Sequence, residues 1–291
     1  MTSDDARRYL MIGAPVTSVR TPPLLERYFA GVGVEATVAA EHVEPGALKA
    51  VVAGLRDTRD LDGLLVTMPH KRAIAALLDD LTTPAAAAGS VNAVKRLGER
   101  LVGAQFDGIG LREALLARGV DPASSRIWLA GLGGAGLAIA EALLAGGSKA
   151  LFVSEPDAHR WETVAARLAV LQRVEAGDVP MADVLVNATP LGMQRGDPSP
   201  FPGLAVRRAR VVADIVADPC ETRLAADTAA AGRPLVTGRE MVACQVPPIG
   251  RWLLSDTLAQ DSRGIIEPWE AGGDGRGCPV SSPRRGRRRP V

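Results

Sequence analysis

Ile127-Trp-Leu-Ala-Gly131-Leu-Gly133-Gly134-Ala135-Gly136 is the stretch that decides the fold. A short apolar run of strand type meets a turn with glycines at 131, 133 and 136. Leu137 to Leu144, rich in helix formers, follows directly. Glycines let a backbone turn tightly and approach a pyrophosphate, and the free amides of the next helix favour its charge. The Gly-x-Gly-x-x-Gly spacing alone also suits a glycine-rich surface loop. The flanking strand and helix, with Glu155 closing the next apolar run Ala150 to Val153, favour dinucleotide binding.

Working outward, apolar runs at Tyr9 to Ile12, Glu35 to Glu41, Gly63 to Val66, Val184 to Asn187 and Val211 to Ile215 read as strands. Helical segments at Leu24 to Gly31, Pro45 to Leu55 and Arg72 to Leu78 alternate with them, and Lys95 to Gln105 reads as a hairpin. This alternation predicts an α/β protein of two domains: an N-terminal α/β substrate-binding domain and a Rossmann-type doubly wound dinucleotide-binding domain. The expected division is 1–108 plus 239–261 for the first and 109–238 for the second. Pro247 and Pro248 are expected to break the helix over Val242 to Ser255, displacing Gln245.

Composition narrows the class. The chain has 291 residues, enough for about two domains, and with 47% hydrophobic but only 3% aromatic residues its core is aliphatic. Three widely spaced cysteines, Cys220, Cys244 and Cys278, argue against a disulfide framework and fit a cytoplasmic protein. No Cys/His cluster suggests a metal, and no run has the length of a membrane span. Residues 263–291 hold seven Arg against Glu267, Glu270 and Asp274, a net of +4. The total is +1, so the body stands near −3. The segment 262–291 therefore reads as a disordered basic tail, and the acidic body gives no expectation of nucleic-acid binding.

Candidate site residues collect at strand ends. Lys71 follows the strand Gly63 to Val66, where ligands bind in open α/β sheets, and it opposes the dipole of the helix expected to start beside it. A lysine so placed is a candidate general acid or base. Asn92 and Asp107 mark the two ends of the hairpin, although Asp before Gly108 also suits a plain turn. Thr21 ahead of Pro22 is either a helix cap or, with Arg20, part of a carboxylate-binding loop.

Taken together, Gly13-x-Pro15, Thr67-x-Pro69-x-Lys71, Gly89-x-x-Asn92, Asp107-Gly108, Gly131-x-Gly133-Gly134-Ala135, Asn187-Ala188-Thr189-x-x-Gly192-Met193 and Gly238-x-x-Met241-x-x-x-Gln245 resemble the shikimate and quinate dehydrogenase family. The resemblance covers roughly Met11 to Leu254. It implies a dehydrogenase of a cyclic polyhydroxy carboxylate, with Lys71 and Asp107 at the alcohol being oxidised. Thr67, Asn92, Gln245 and the loop Val19, Arg20 and Thr21 would meet the substrate. Gly131, Gly133, Gly134, Ala135, Gly136, Glu155, Asn187, Ala188, Thr189, Val216, Gly238 and Met241 would line the cofactor. The expected partner is a small ring hydroxy acid, bound by a monomer or homodimer.

Hydride transfer from a secondary alcohol requires loss of the hydroxyl proton, so a positioned base is needed. A neighbouring carboxylate orients the lysine but also holds its proton, which leaves open whether Lys71 is the base or an orienting group. Departures from the family pattern fall around the substrate: Val19-Arg20-Thr21-Pro22 replaces Ser-x-Ser-Pro, Ala93 follows Asn92 where a threonine is usual, and Gln105-Phe106 stands for Asn-Thr. One lost neutral hydrogen bond costs only about 0.5 to 1.5 kcal/mol. Where relatives using the phosphorylated cofactor carry Asn-Arg-Thr, this chain has Glu155-Pro156-Asp157, which predicts NAD in preference to NADP, with Arg160 in reach of the site. A catalytically silent NAD-binding protein of the same fold is the other reading.

Overall fold

A computed structural model describes residues 6–256 except 17, 18, 59, 149 and 220. The tail 262–291 lies outside the described residues. The first half runs β1 (Arg7–Gly13), α1 (Thr21–Gly31), β2 (Ala36–His42), α2 (Leu48–Asp57), β3 (Gly63–Val66), β4 (Asp80–Leu81), α3 (Thr83–Ala88), β5 (Ala93–Leu97) and β6 (Arg100–Ala104). These strands form one mixed sheet in the order β2-β1-β3-β5-β6-β4. The expected hairpin is there as the antiparallel pair β5 and β6.

After α4 (Asp107–Ala117), the second sheet contains β7 (Arg126–Ala130), α5 (Gly134–Ala145), β8 (Ala150–Ser154), α6 (Ala158–Ala165), β9 (Leu171–Arg173) and β10 (Val184–Asn187). It continues with α7 (Gly203–Arg208), β11 (Val211–Asp214), α8 (Arg223–Ala230) and β12 (Leu235–Thr237). All pairings are parallel, in the order β12-β11-β10-β7-β8-β9. That is the doubly wound order, and its reversal lies between β7 and β10, where such sheets open a crevice for a dinucleotide. The central strands β7, β10 and β11 are continuous buried runs because helices cover both faces, so alternation is lost there. Among the described residues no helix is long and apolar enough to cross a membrane.

The last helix, α9 (Gly238–Leu254), corrects an expectation: it runs through Pro247 and Pro248 without a break. Each proline removes an amide and costs an isolated helix about 3 kcal/mol. Packing overrides that cost. Met241 and Cys244 sit in the core of the second sheet, and Val246, Ile249, Trp252 and Leu253 sit in that of the first. Thr237 and Glu240 close a reciprocal capping box at its start. Cys244 is engaged in a disulfide, against the expectation from cysteine spacing; Cys220 and Cys278 both lie outside the described residues.

A buried lysine finishes α9. Lys95, 2% exposed, donates from Nζ to the carbonyls of Trp252 at 3.1 Å and Ser255 at 2.9 Å, and lies 4.6 Å over the Trp252 ring. A cation at the negative end of the helix dipole adds a charged donor to the carbonyls of the last turn. Replacing it with Met is expected to destabilise the fold by about 1 to 3 kcal/mol in denaturant titration. Burial lowers the Lys95 pKa below its ordinary 10.5. In the window between that lowered value and 10.5 the unfolded chain binds the extra proton, so wild-type stability rises with pH there, and the Met variant loses the rise.

Candidate active site

Asp107 is the hub of a buried polar cluster. Its Oδ2 accepts from Lys71 Nζ at 2.7 Å, and its Oδ1 accepts from Asn92 Nδ2 at 3.1 Å and Gln245 Nε2 at 3.2 Å. Asn92 Nδ2 also lies 3.3 Å from Gln245 Oε1, and Asn92 Oδ1 accepts from the Phe106 amide at 3.0 Å. The Asp107 side chain is 3% exposed and that of Lys71 17%, so the carboxylate is enclosed while the ammonium opens toward the cleft. Thr67, half-buried at the end of β3, makes no side-chain hydrogen bond to other described residues and leaves its hydroxyl for a ligand.

Three segments converge here for reasons visible in the chain. Asp107 does not sit in a turn; it opens α4. That helix is wedged between α5 and α9, and a Cβ on Gly110 would lie 2.3 Å from Gln245 Cγ and 2.8 Å from the Met241 carbonyl. Glycine there is the condition for Gln245 to reach Asp107. Lys71 lies in consecutive turns ahead of a short 3-10 helix, Ile74–Leu77, and not in the first turn of an α-helix, so the expected dipole argument does not apply. Its neighbour His70 is 1% exposed, with Nε2 at 2.6 Å from the Val43 carbonyl, and anchors that turn.

The sequence reading missed two members. Gln105 Oε1 accepts from the Asp107 amide at 2.8 Å, and its Nε2 donates to Ser90 Oγ, which in turn donates to the Gly134 carbonyl at 2.9 Å. A chain of hydrogen bonds thus joins the Asp107 cluster to the glycine turn. In the sequence Gln105 stands out only as a departure from pattern, and Ser90 carries no signal. Of the N-terminal loop, Val19 packs against the first core and offers no polar atom. Arg20 is the N-cap of α1 without a side-chain cap bond, and Thr21 is the helix's first residue.

The glycine turn follows β7 at the sheet's reversal point. Gly131 has φ +91°, and a Cβ on Gly136 would lie 2.1 Å from the Gly131 carbonyl oxygen, so both positions demand glycine. Gly133 is the N-cap of α5, and no side chain caps that helix; with Gly134 and Ala135 its first amides present a cradle that fits a pyrophosphate. Opposite, Asn187 at the end of β10 donates to Asp214 Oδ1 at 3.0 Å and accepts from the amide and hydroxyl of Thr189, which fixes the Ala188-Thr189 edge. Burial raises the Asp214 carboxyl above its usual range, against hydrogen bonds from Thr222, Val216 and Asn187. Val216 is buried beside Gly238, where a Cβ would lie 2.5 Å from the Ile215 carbonyl; Met241 is a core residue.

Glu155 is not the free ribose-facing carboxylate that its position suggested. Its Oε2 accepts from the Leu132 amide at 2.7 Å, and its Oε1 accepts from the Asp157 amide at 3.0 Å and Arg160 Nη1 at 3.1 Å. Arg160 also lies 3.2 Å from Asp157. The acid is therefore spent on the turn, and a half-exposed arginine is shared between it and Asp157. Among the described residues no cluster of three His, Cys, Asp or Glu has the arrangement of a metal site.

Residues 11–94 match the family model of the shikimate dehydrogenase substrate-binding domain. A protein of Thermococcus kodakarensis named shikimate dehydrogenase (NADP(+)) is 34% identical over 84% of this chain and 90% of its own. A relative of the same name from Rubrobacter xylanophilus is 38% identical over 72% and 76%. The crystal structure of shikimate 5-dehydrogenase from Thermus thermophilus, in complex with NADP(H) and shikimate, has a TM-score of 0.77 at 28% identity, covering 88% of this chain and 98% of that one. The cofactor in the relatives' name overturns the expected preference for NAD. The physical reason the acid misleads is that its oxygens accept from the Leu132 and Asp157 amides and from Arg160, so it is not free to meet the ribose hydroxyls. With its two-sheet architecture and this degree of identity across four-fifths of its length, the chain belongs to the shikimate dehydrogenase family of CH-OH oxidoreductases.

Proposed function

We propose that the protein interconverts a secondary alcohol and a ketone on a cyclic polyhydroxy acid of the shikimate or quinate class, with NADP as cofactor. The observation that carries the reading is the Lys71–Asp107 contact at 2.7 Å, with Asn92 and Gln245 on the same carboxylate and the glycine cradle one hydrogen-bond chain away. When bound, the cofactor supplies the hydride acceptor. Residues 131–136 would hold its pyrophosphate, Arg160 would meet the adenosine phosphate, and Asn187 to Thr189, Val216 and Gly238 would line the nicotinamide side.

The protein's own residues do the rest. Asp107 holds Lys71 at a fixed angle, and Asn92 and Gln245 share its other oxygen, so the ammonium has one orientation toward the cleft. Lys71 hydrogen-bonds the reacting hydroxyl; in the oxidation direction its neutral amine takes the hydroxyl proton at Nζ and becomes the ammonium, and in the reduction direction the ammonium returns a proton to the carbonyl oxygen, while the Thr67 hydroxyl and the neutral amides of Asn92 and Gln245 suit the ring's other hydroxyls. The substrate-binding part is taken as 1–108 with 239–261, closed over by α9. Incubating the protein with NADP or NAD and a panel of shikimate, quinate and their aminated analogues, followed by absorbance of the reduced nicotinamide, tests the reading. Oxidation of at least one acid with NADP is expected; cofactor binding with no acid oxidised would overturn it.

A further inference from the structure

The turn that carries Lys71 also carries Arg72, and the two side chains meet different parts of the molecule. His70 pins the turn: its amide donates to the Thr67 carbonyl at 3.0 Å, its Nε2 lies 2.6 Å from the Val43 carbonyl, and its own carbonyl accepts from the Ile74 amide at 3.0 Å. The Lys71 carbonyl accepts from the Val91 amide at 2.7 Å. From this fixed backbone Lys71 reaches Asp107 at 2.7 Å. Arg72 meets the start of α5 instead: a Cβ on Gly134 would lie 3.5 Å from Arg72 Cγ and 3.6 Å from Ser90 Cβ. Ser90 Oγ donates to the Gly134 carbonyl at 2.9 Å, which fixes the two surfaces against each other. The glycine turn of the second sheet is thus faced by an arginine of the first.

Arg72 is exposed, and among the described residues it makes no hydrogen bond or ion pair. Its charge stands at the wrong end of a helix. No side chain caps α5 and its first turn has no acidic residue, so the amide end keeps its partial positive charge. A second positive group against that end is repelled unless an anion lies between them. The nearby carboxylates are engaged elsewhere, Asp107 with Lys71, Glu141 with Arg167, and Glu155 and Asp157 with Arg160.

We propose that Arg72 is a further cofactor-binding residue, its guanidinium clasping the dinucleotide's pyrophosphate from the side opposite the α5 amides. The inference rests on the dinucleotide reading above. A pyrophosphate suits both partners, because some of its oxygens can face the amides while others take the planar guanidinium fork. The clasp also ties the cofactor to the turn from which Lys71 acts, so the two halves of the site are held by adjacent residues of one rigid segment.

The test measures dissociation constants of the full chain for NADP, NAD and ADP-ribose by calorimetry; all three contain the pyrophosphate, and only NADP has the 2′-phosphate. Arg72→Gln is expected to weaken all three by the same factor, about 10- to 100-fold, the range for a lost charge-assisted hydrogen bond. Arg72→Lys, which keeps the charge without the fork, is expected to weaken them less. Raising ionic strength is expected to weaken the wild type more steeply than Arg72→Gln. Thermal melts give the readout that a merely structural role would not produce: without ligand Arg72→Gln melts no lower than the wild type, and the rise that NADP confers is smaller in the variant. If Arg72→Gln binds the dinucleotides as tightly as the wild type, loses affinity for NADP alone, or loses affinity only together with unliganded stability, the clasp is overturned and the dehydrogenase reading stands. If the variant weakens all three but the wild type oxidises no ring acid, the clasp stands and the dehydrogenase reading falls. If the wild type binds none of the three, both fall.

Discussion

Lys71→Ala is expected to lower turnover of the ring acid by about 10²- to 10⁴-fold and to leave the dissociation constant for NADP nearly unchanged. The first half follows from geometry: among the described residues Lys71 is the one charged group that donates to Asp107, and the Asp107 oxygens are already held by Lys71, Asn92 and Gln245. The second half follows from placement, because the phosphate cradle is built from backbone amides of residues 131–136, which the substitution does not alter. Steady-state rates and NADP binding by fluorescence check the two halves separately. The pH profile then separates two roles. If Lys71 takes the proton, the pH-dependent limb of turnover is lost in the variant; if it only orients the hydroxyl, the limb survives on a lower rate. Turnover equal to that of the wild type would remove Lys71 from the mechanism.

The parts of this site that were legible in the sequence are those where local chemistry leaves one solution. The glycines at 131 and 136 are examples, since φ +91° and a carbonyl 2.1 Å from a hypothetical Cβ admit no other residue. The apolar run Gly63 to Val66 is another, as it is buried throughout and matches its strand to the residue. What was not legible depended on contacts distant in sequence. Continuity of α9 through Pro247 and Pro248 is decided by two cores that the helix joins, and neither is encoded near the prolines. Glu155 misled for the same reason: its type suited a ribose contact, but the Leu132 amide and Arg160 had already taken its oxygens. Gln105 looked like a loss of pattern because its partners, Ser90 and the Asp107 amide, are gathered only by the hairpin and the start of α4.

Arg160→Gln is expected to reduce the preference for NADP over NAD, measured as the ratio of their kcat/KM values, by about 10- to 100-fold, the range for a lost charge-assisted hydrogen bond. Most of that fall should come from a higher KM for NADP, since NAD offers the guanidinium no phosphate. Arg160 now divides itself between Glu155 and Asp157, at 3.1 and 3.2 Å, so a 2′-phosphate must compete with two carboxylates for it. This competition predicts a second, opposite result. Asp157 caps α6 by accepting from the Arg160 amide at 3.0 Å, and Asn preserves such a cap. Asp157→Asn therefore keeps the helix, removes one competing charge and the repulsion it exerts, and is expected to raise the NADP to NAD ratio. The two substitutions act on the same few atoms in opposite directions, so a general loosening of the loop cannot imitate the pair of results. If both leave the ratio where it is in the wild type, the adenosine phosphate is held by residues other than Arg160.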